Sequence, residues 1–236
     1  MNKEQFIEEL EKIGVYPSEI QLKQLDLFYK LLIEWNTKMN LTRIIEEKDV
    51  YLKHFYDSLT IAKAIDLTKE KTLCDVGTGA GFPGIVLKIM YPNLKITLID
   101  SLQKRVNYLN IIIKELELKD IEAIHSRGED YKGNFDVVTS RAVANIEKLV
   151  NYTMHLLSKK GIFIAMKGNV EEELNEQVLK KLSKKYAIEN IIKFKLPLEN
   201  SDRSLVIMKN RWNMQESMFF YKNKLKESRK YYIMLT

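Results

Sequence analysis

The stretch Thr72-Leu-Cys-Asp75-Val-Gly77-Thr-Gly79-Ala-Gly81-Phe82-Pro83-Gly84 decides how the chain is read. A short apolar run containing an acid passes into glycines at 77, 79, 81 and 84, and a helical pattern follows over 83–91. Residues without a Cβ let the chain turn tightly from strand to helix and let a ligand lie against the backbone. Such a turn marks a nucleotide-binding crevice at the end of the first strand of a doubly wound α/β domain. Asp100 closes the next apolar run, where a carboxylate accepts hydrogen bonds from the ribose hydroxyls of a bound nucleoside.

These residues alone fit two cofactors. Gly79-x-Gly81-x-x-Gly84 also fits the dinucleotide fingerprint, with Asp100 about twenty residues on. Two features favour S-adenosylmethionine. Asp75, two residues ahead of the first glycine, suits the cationic methionyl amine. Pro83 stands where a dinucleotide helix would begin to pack tightly. Backbone N–H groups at the helix start suit the methionyl carboxylate.

Outward from this loop the texture is regular. Apolar, β-branched runs at Thr72–Val76, Lys95–Ile99, Ile121–Ile124, Phe135–Thr139 and Gly161–Met166 alternate with helical patterns at 83–91, 102–118, 145–158 and 170–184. Ile188–Phe194 and Ser204–Met208 supply two more strands. The expectation is a Rossmann-like, seven-stranded, mostly parallel sheet with helices on both faces, over residues 71–210. Residues 1–70 read as an N-terminal helical cap. Ser18-x-x-Gln21 offers a capping box ahead of Leu22, Leu25, Phe28, Leu32, Trp35 and Met39, and a second periodic segment near 48–65 carries Val50, Phe55, Leu59, Ala62 and Ile65. Residues 211–236 form an atypical basic and aromatic tail.

Composition narrows the function. The 236 residues are 45% hydrophobic, enough for one sizeable core. No run of about 18 uncharged apolar residues occurs and the start is an acidic amphipathic segment, so no membrane span and a cytoplasmic address are expected. The single cysteine, Cys74, sits in an apolar run, and His54, His125 and His155 lie far apart without ligand spacing, so no metal is expected. The net charge of +6 is compatible with nucleic acid. It gathers beyond residue 70, since residues 1–70 hold 10 basic and 13 acidic side chains and residues 71–210 hold 22 and 17.

Methyl transfer from a sulfonium requires alignment and exclusion of water, and requires a base only when the acceptor carries a proton. The fourth strand and its exit, Phe135-Asp136-Val-Val-Thr-Ser140-Arg141-Ala142-Val143, lack an Asn/Asp-Pro-Pro-aromatic motif for an exocyclic amine and lack a cysteine for attack on a pyrimidine. A ring nitrogen with a free lone pair, such as guanine N7, needs neither. Competing readings are a small-molecule methyltransferase, a nicotinamide-binding dehydrogenase and a non-enzymatic RNA-binding module.

The chain resembles the RsmG (GidB) family of bacterial 16S ribosomal RNA guanine-N7 methyltransferases. The resemblance runs through Trp35-Asn36, Asn40-Leu41-Thr42, His54-x-x-Asp57-Ser58, the glycine loop, Asp100-Ser101-x-x-Lys104-Arg105, Ser126-Arg127-x-Glu129, Ser140-Arg141-Ala142, Lys167-Gly168 and Arg203-x-Leu-Val206. It implies a class I S-adenosylmethionine-dependent methyltransferase acting on 16S ribosomal RNA of the small ribosomal subunit; a monomer is the default expectation, apart from the resemblance. Asp75, Gly77, Gly79, Phe82 and Asp100 would hold the donor, Gly128 and Glu129 would lie beside its adenine, and Arg141 would close the site. Arg127, Lys167 and Arg203 would face RNA, with Arg141, Arg127 and Lys167 as the catalytic candidates. His54 and Asp57 are left either as an interhelical pair or as substrate contacts. Gly128 departs from the alanine or valine common before the family's glutamate, and residues 211–236 depart from its usual ending.

Overall fold

The structure is a computed structural model that describes residues 1–211. The tail expected at 211–236 lies, from residue 212 onward, outside the described residues. Seven strands form one sheet: β1 (Thr72–Val76), β2 (Lys95–Asp100), β3 (Ile121–His125), β4 (Phe135–Arg141), β5 (Leu157–Lys167), β6 (Tyr186–Lys195) and β7 (Asp202–Asn210). Their order is β3-β2-β1-β4-β5-β7-β6. Neighbours are parallel from β3 through β5, and β7 then runs antiparallel between β5 and β6.

Each apolar run read from the sequence becomes one of these strands. β5 starts four residues earlier than expected, because Leu157 pairs with Phe135 across a register shift. Gly161 permits that approach: a Cβ there would lie 2.5 Å from the Phe135 carbonyl oxygen.

The helices are α1 (Lys3–Glu11), α2 (Glu19–Met39), α3 (Glu47–Val50), α4 (Asp57–Leu59), α5 (Gly84–Met90), α6 (Gln103–Glu115), α7 (Ile146–Thr153) and α8 (Glu176–Leu182). The last four are shorter than their sequence windows for local reasons. Glu117 takes a left-handed conformation just beyond α6. After α7 the chain tightens into a 3-10 turn, Met154–Leu156. α8 begins only where the Asn175 side chain accepts the Val178 N–H.

The N-terminal capping box is present, and its glutamine has a second task. The Ser18 N–H donates to Gln21 Oε1 (2.8 Å), while Gln21 Nε2 donates to the Ile89 and Met90 carbonyls (2.9 and 3.0 Å) at the end of α5. The segment near 48–65 is one continuous helical run: α3, a π-helix at Tyr51–Tyr56, α4, and a 3-10 turn at Thr60–Lys63. Carbonyls displaced by these changes of pitch are met by hydroxyls, with Ser58 Oγ donating to the His54 carbonyl and Thr60 Oγ1 to that of Asp57, both at 2.6 Å.

One core runs across residue 70. Phe28 of α2 stacks 5.7 Å from Phe55 and lies tilted 5.3 Å from Phe82 of the glycine loop, and all three belong to one buried cluster with Ile85 and Leu98. A second cluster, with Val138, Leu149, Phe163 and Met208, fills the opposite face of the sheet.

Candidate functional site

The site lies beyond the carboxyl ends of β1, β2 and β4, the edge where open parallel sheets bind ligands. Gly77 and Gly79 have φ of +75° and +61°, conformations that L side chains rarely adopt. A Cβ on Gly77 would lie 2.4 Å from Val143 in the loop after β4, so two loops close on the backbone there. Asp100, 2% exposed, ties the loop to β2: Oδ2 accepts the Gly79 N–H (3.0 Å) and an Arg105 N–H (3.3 Å), and Oδ1 accepts the Leu102 N–H (2.9 Å).

Two connected cavities follow this floor. One of about 350 Å³ is lined by Val76, Gly77, Asp100, Gly128, Glu129 and Tyr152. The other, about 430 Å³, is lined by Thr42, Gly77, Gly79, Phe82, Asp100 and Arg141. They share Gly77, Asp100, Ser101 and Val143, which makes a two-lobed crevice with a buried acid at its waist.

Asp75 lines neither lobe. Its carboxylate is fully buried beneath the loop, where Oδ2 accepts the Gly84 N–H (2.9 Å) at the start of α5. Oδ1 and the Thr78 hydroxyl are buried without a hydrogen-bond partner among the described residues. Burial pushes the Asp75 carboxyl up to about 6, and the Gly84 N–H and Arg141 offset only part of that. The structure therefore places Asp75 under the loop and not on the crevice surface, where the sequence suggested an amine contact.

A third cavity, about 300 Å³, adjoins the crevice across a thin wall of His54, Arg141 and Ala142. Arg141 is the centre of that wall. One terminal nitrogen donates to the Lys53 carbonyl and to Asp57 Oδ2 (both 3.1 Å), the other approaches His54 Nδ1 (3.3 Å), and the guanidinium lies over Phe82 (5.2 Å). A guanidinium only donates, so Nδ1 accepts and His54 carries its proton on Nε2, which donates to Thr42 Oγ1 at 2.9 Å. Burial and the adjacent Arg141 charge hold His54 down to about 3, and the imidazole is neutral. Asp57 Oδ1 accepts Arg203 Nε (2.9 Å), so one buried carboxylate joins arginines from β4 and β7.

The structure gathers Arg141, Lys167 and Arg203 around this third cavity. It sets Arg127 apart, exposed at the far lobe beside Gly128 and Glu129. Lys167 is nearly buried, with an 11% exposed side chain. Its ammonium donates to the Ala144 carbonyl (2.5 Å) and Glu173 (2.9 Å), fastening the β4–α7 loop that covers Gly77. Glu173 also accepts the Ile146 N–H at the start of α7. Gly128 is tightly enclosed, since a Cβ would meet Val76 at 2.7 Å and the Tyr152 carbonyl oxygen at 3.0 Å. Sequence reasoning missed the walls formed by Thr42, Tyr152 and Phe194. It singled out His54 and Asp57 but missed that both grip Arg141; their spacing of three on a helical run was the available signal.

A sheet in which β7 enters antiparallel beside β5, with a glycine turn after β1 and an acid closing β2, defines a class I S-adenosylmethionine-dependent methyltransferase fold. Solved structures share it. The ribosomal protein L11 methylase of Lactobacillus delbrueckii subsp. bulgaricus aligns with a TM-score of 0.51 and 18% identity over 70% of this chain and 80% of that one. The StiE O-MT segment 961–1257 aligns with a TM-score of 0.57 and 14% identity over 75% and 81%. Within that class, the chain belongs to the GidB family, rRNA small subunit methyltransferase G, whose model matches residues 21–206. Relatives named ribosomal RNA small subunit methyltransferase G include those of Bacillus licheniformis, 44% identical over 89% of this chain and 90% of the relative, and Exiguobacterium sibiricum, 46% identical over 88% and 90%.

Proposed function

We propose that the chain transfers the methyl group of S-adenosylmethionine to N7 of a guanosine in 16S ribosomal RNA of the small subunit, leaving 7-methylguanosine and S-adenosylhomocysteine. The observation that carries this reading is the wall between crevice and third cavity. The two groups that could take a proton, His54 in the wall and Asp57 on its third-cavity side, are both engaged by Arg141. An acceptor that must lose a proton would find no free base on that wall, whereas guanine N7 offers a lone pair and no proton.

The crevice suits the donor. A two-lobed volume, a floor whose left-handed glycines leave no Cβ in the way, and a buried acid at the waist match a nucleoside with an amino-acid tail. Asp100 would hold the ribose hydroxyls, Gly128 and Glu129 would flank the adenine, and Gly77, Gly79 and Phe82 would bound the tail. Asp75 holds the loop from below. The bound donor supplies an electrophilic methyl on a sulfonium, for in-line displacement. Arg141 borders both the crevice and the acceptor cavity, so it can flank the line of transfer and exclude water from it. Arg203, and Arg127 at the outer rim, offer charge to phosphates, while Lys167 fixes the loop between them. N7 faces the deep groove of duplex RNA, so the target lies in a loop or leaves its stack.

The test is a map of N7-methylguanosine, by reduction and chain scission, in 16S RNA from cells with and without the gene. A scission site lost with the gene is expected. Identical maps contradict the proposal.

A further inference from the structure

The residue that the chemistry leaves unexplained is Asp57. It arrives from the helical N-terminal region, is 5% exposed, and spends both carboxylate oxygens on arginines 84 and 146 positions away in sequence. A buried ion network of this kind is weak grounds for stability, since desolvation offsets most of the attraction. Its location is informative. Arg141 borders both the donor crevice and the third cavity, Arg203 borders the third cavity alone, and Asp57 lies in the wall of that cavity between them.

We propose that Asp57 is a positioning residue for methyl transfer: it fixes the Arg141 and Arg203 guanidiniums relative to each other, and so aligns the acceptor cavity with the donor crevice. This rests on the methyl-transfer reading above. Each arginine has other anchors, but none in common. Arg141 is held by the Lys53 carbonyl and His54, and Arg203 by Ser201 Oγ and the Asp202 carbonyl. Among the described residues Asp57 is the shared partner, and an asparagine there offers one acceptor oxygen for two guanidiniums. The region before residue 70 thereby contributes to the site itself as well as to the core.

The test uses the full chain with small ribosomal subunits from cells lacking the gene, following kcat, KM for subunits, the Kd of S-adenosylhomocysteine and Tm. For Asp57→Asn, kcat should fall by roughly 10- to 100-fold, the range that small misplacement of reacting groups produces. S-adenosylhomocysteine binding should stay within about threefold, because the Asp100 contacts are untouched. The loss should also shrink in an Arg203→Gln background, as it must when one residue acts through another. An unchanged kcat, or losses from the two substitutions that simply multiply, would overturn the proposal. If Asp57→Asn does not fold, Asp57→Glu carries the test: the charge remains but its seat moves by a methylene, so kcat should still fall at near-native Tm, and full activity would overturn the idea. Wild-type protein that leaves the subunits unmethylated would instead defeat the functional reading, and this proposal with it.

Discussion

Asp100 and Asp75 show how differently two acids near the same glycine loop behave. Asp100 stands at the crevice waist with one lone-pair site on Oδ1 left after its three present contacts, the longest of which, to Arg105 at 3.3 Å, is the one an incoming hydroxyl can replace. Asp100→Ala should weaken S-adenosylhomocysteine binding by about 1.5–3 kcal/mol, from lost charge-assisted hydrogen bonds, as read by calorimetry. Unchanged binding would remove Asp100 from the donor site. Asp75 is a matter of folding. Its carboxyl is raised in the folded chain from the ordinary 3.8 to about 6, so its ionisation opposes folding as pH climbs through that interval, by on the order of 3 kcal/mol once complete. Asp75→Asn removes that cost while its amide oxygen still accepts from Gly84 N–H. The stability of the donor-free variant relative to wild type should therefore rise between pH 4 and 6 and level off above; a pH-independent difference in chemical denaturation would contradict this. The glycines and Asp100 were legible in the sequence because backbone conformation and strand-end position fix what they do. The placements of Asp75 and Lys167 were not, because a side chain's direction depends on packing among segments far apart in the chain.

Among the elements, α2 and α5 are joined by the Gln21 side chain, which closes the Ser18 capping box and also caps the last carbonyls of α5. Gln21→Ala removes both, so it should cost about 1–2 kcal/mol of stability, more than the loss expected of Ser18→Ala. Urea denaturation of the two variants compares them directly, and equal losses would show that the tie to α5 contributes nothing. The strands were the most legible elements, since apolar runs between turn residues survive any tertiary context. The insertion of β7 between β5 and β6 was not legible, because the spatial order of two adjacent antiparallel strands leaves no trace in periodicity. The helix ends were misread at α7 and α8, where the 3-10 turn at Met154–Leu156 and the Asn175 cap decide the boundary.

For the whole molecule, the boundary drawn at residue 70 separates two textures of sequence but not two cores. Phe28 and Phe55 pack against Phe82 across it, and Asp57 and His54 cross it to hold Arg141. A fragment beginning at Lys71 would bare the face of α5 and strip the Arg141 wall. It should lack a cooperative thermal transition and bind no S-adenosylhomocysteine; a fragment that melts cooperatively and binds S-adenosylhomocysteine would show the cap to be dispensable. Among the described residues no helix is long and apolar enough to cross a membrane. The central claim, that this chain moves a methyl group to guanine N7 of small-subunit RNA, is tested most directly with purified protein. Small subunits from cells lacking the gene are incubated with methyl-labelled S-adenosylmethionine and their RNA is digested to nucleosides. Label is expected in 7-methylguanosine; label in another nucleoside, or none in the RNA, would contradict it.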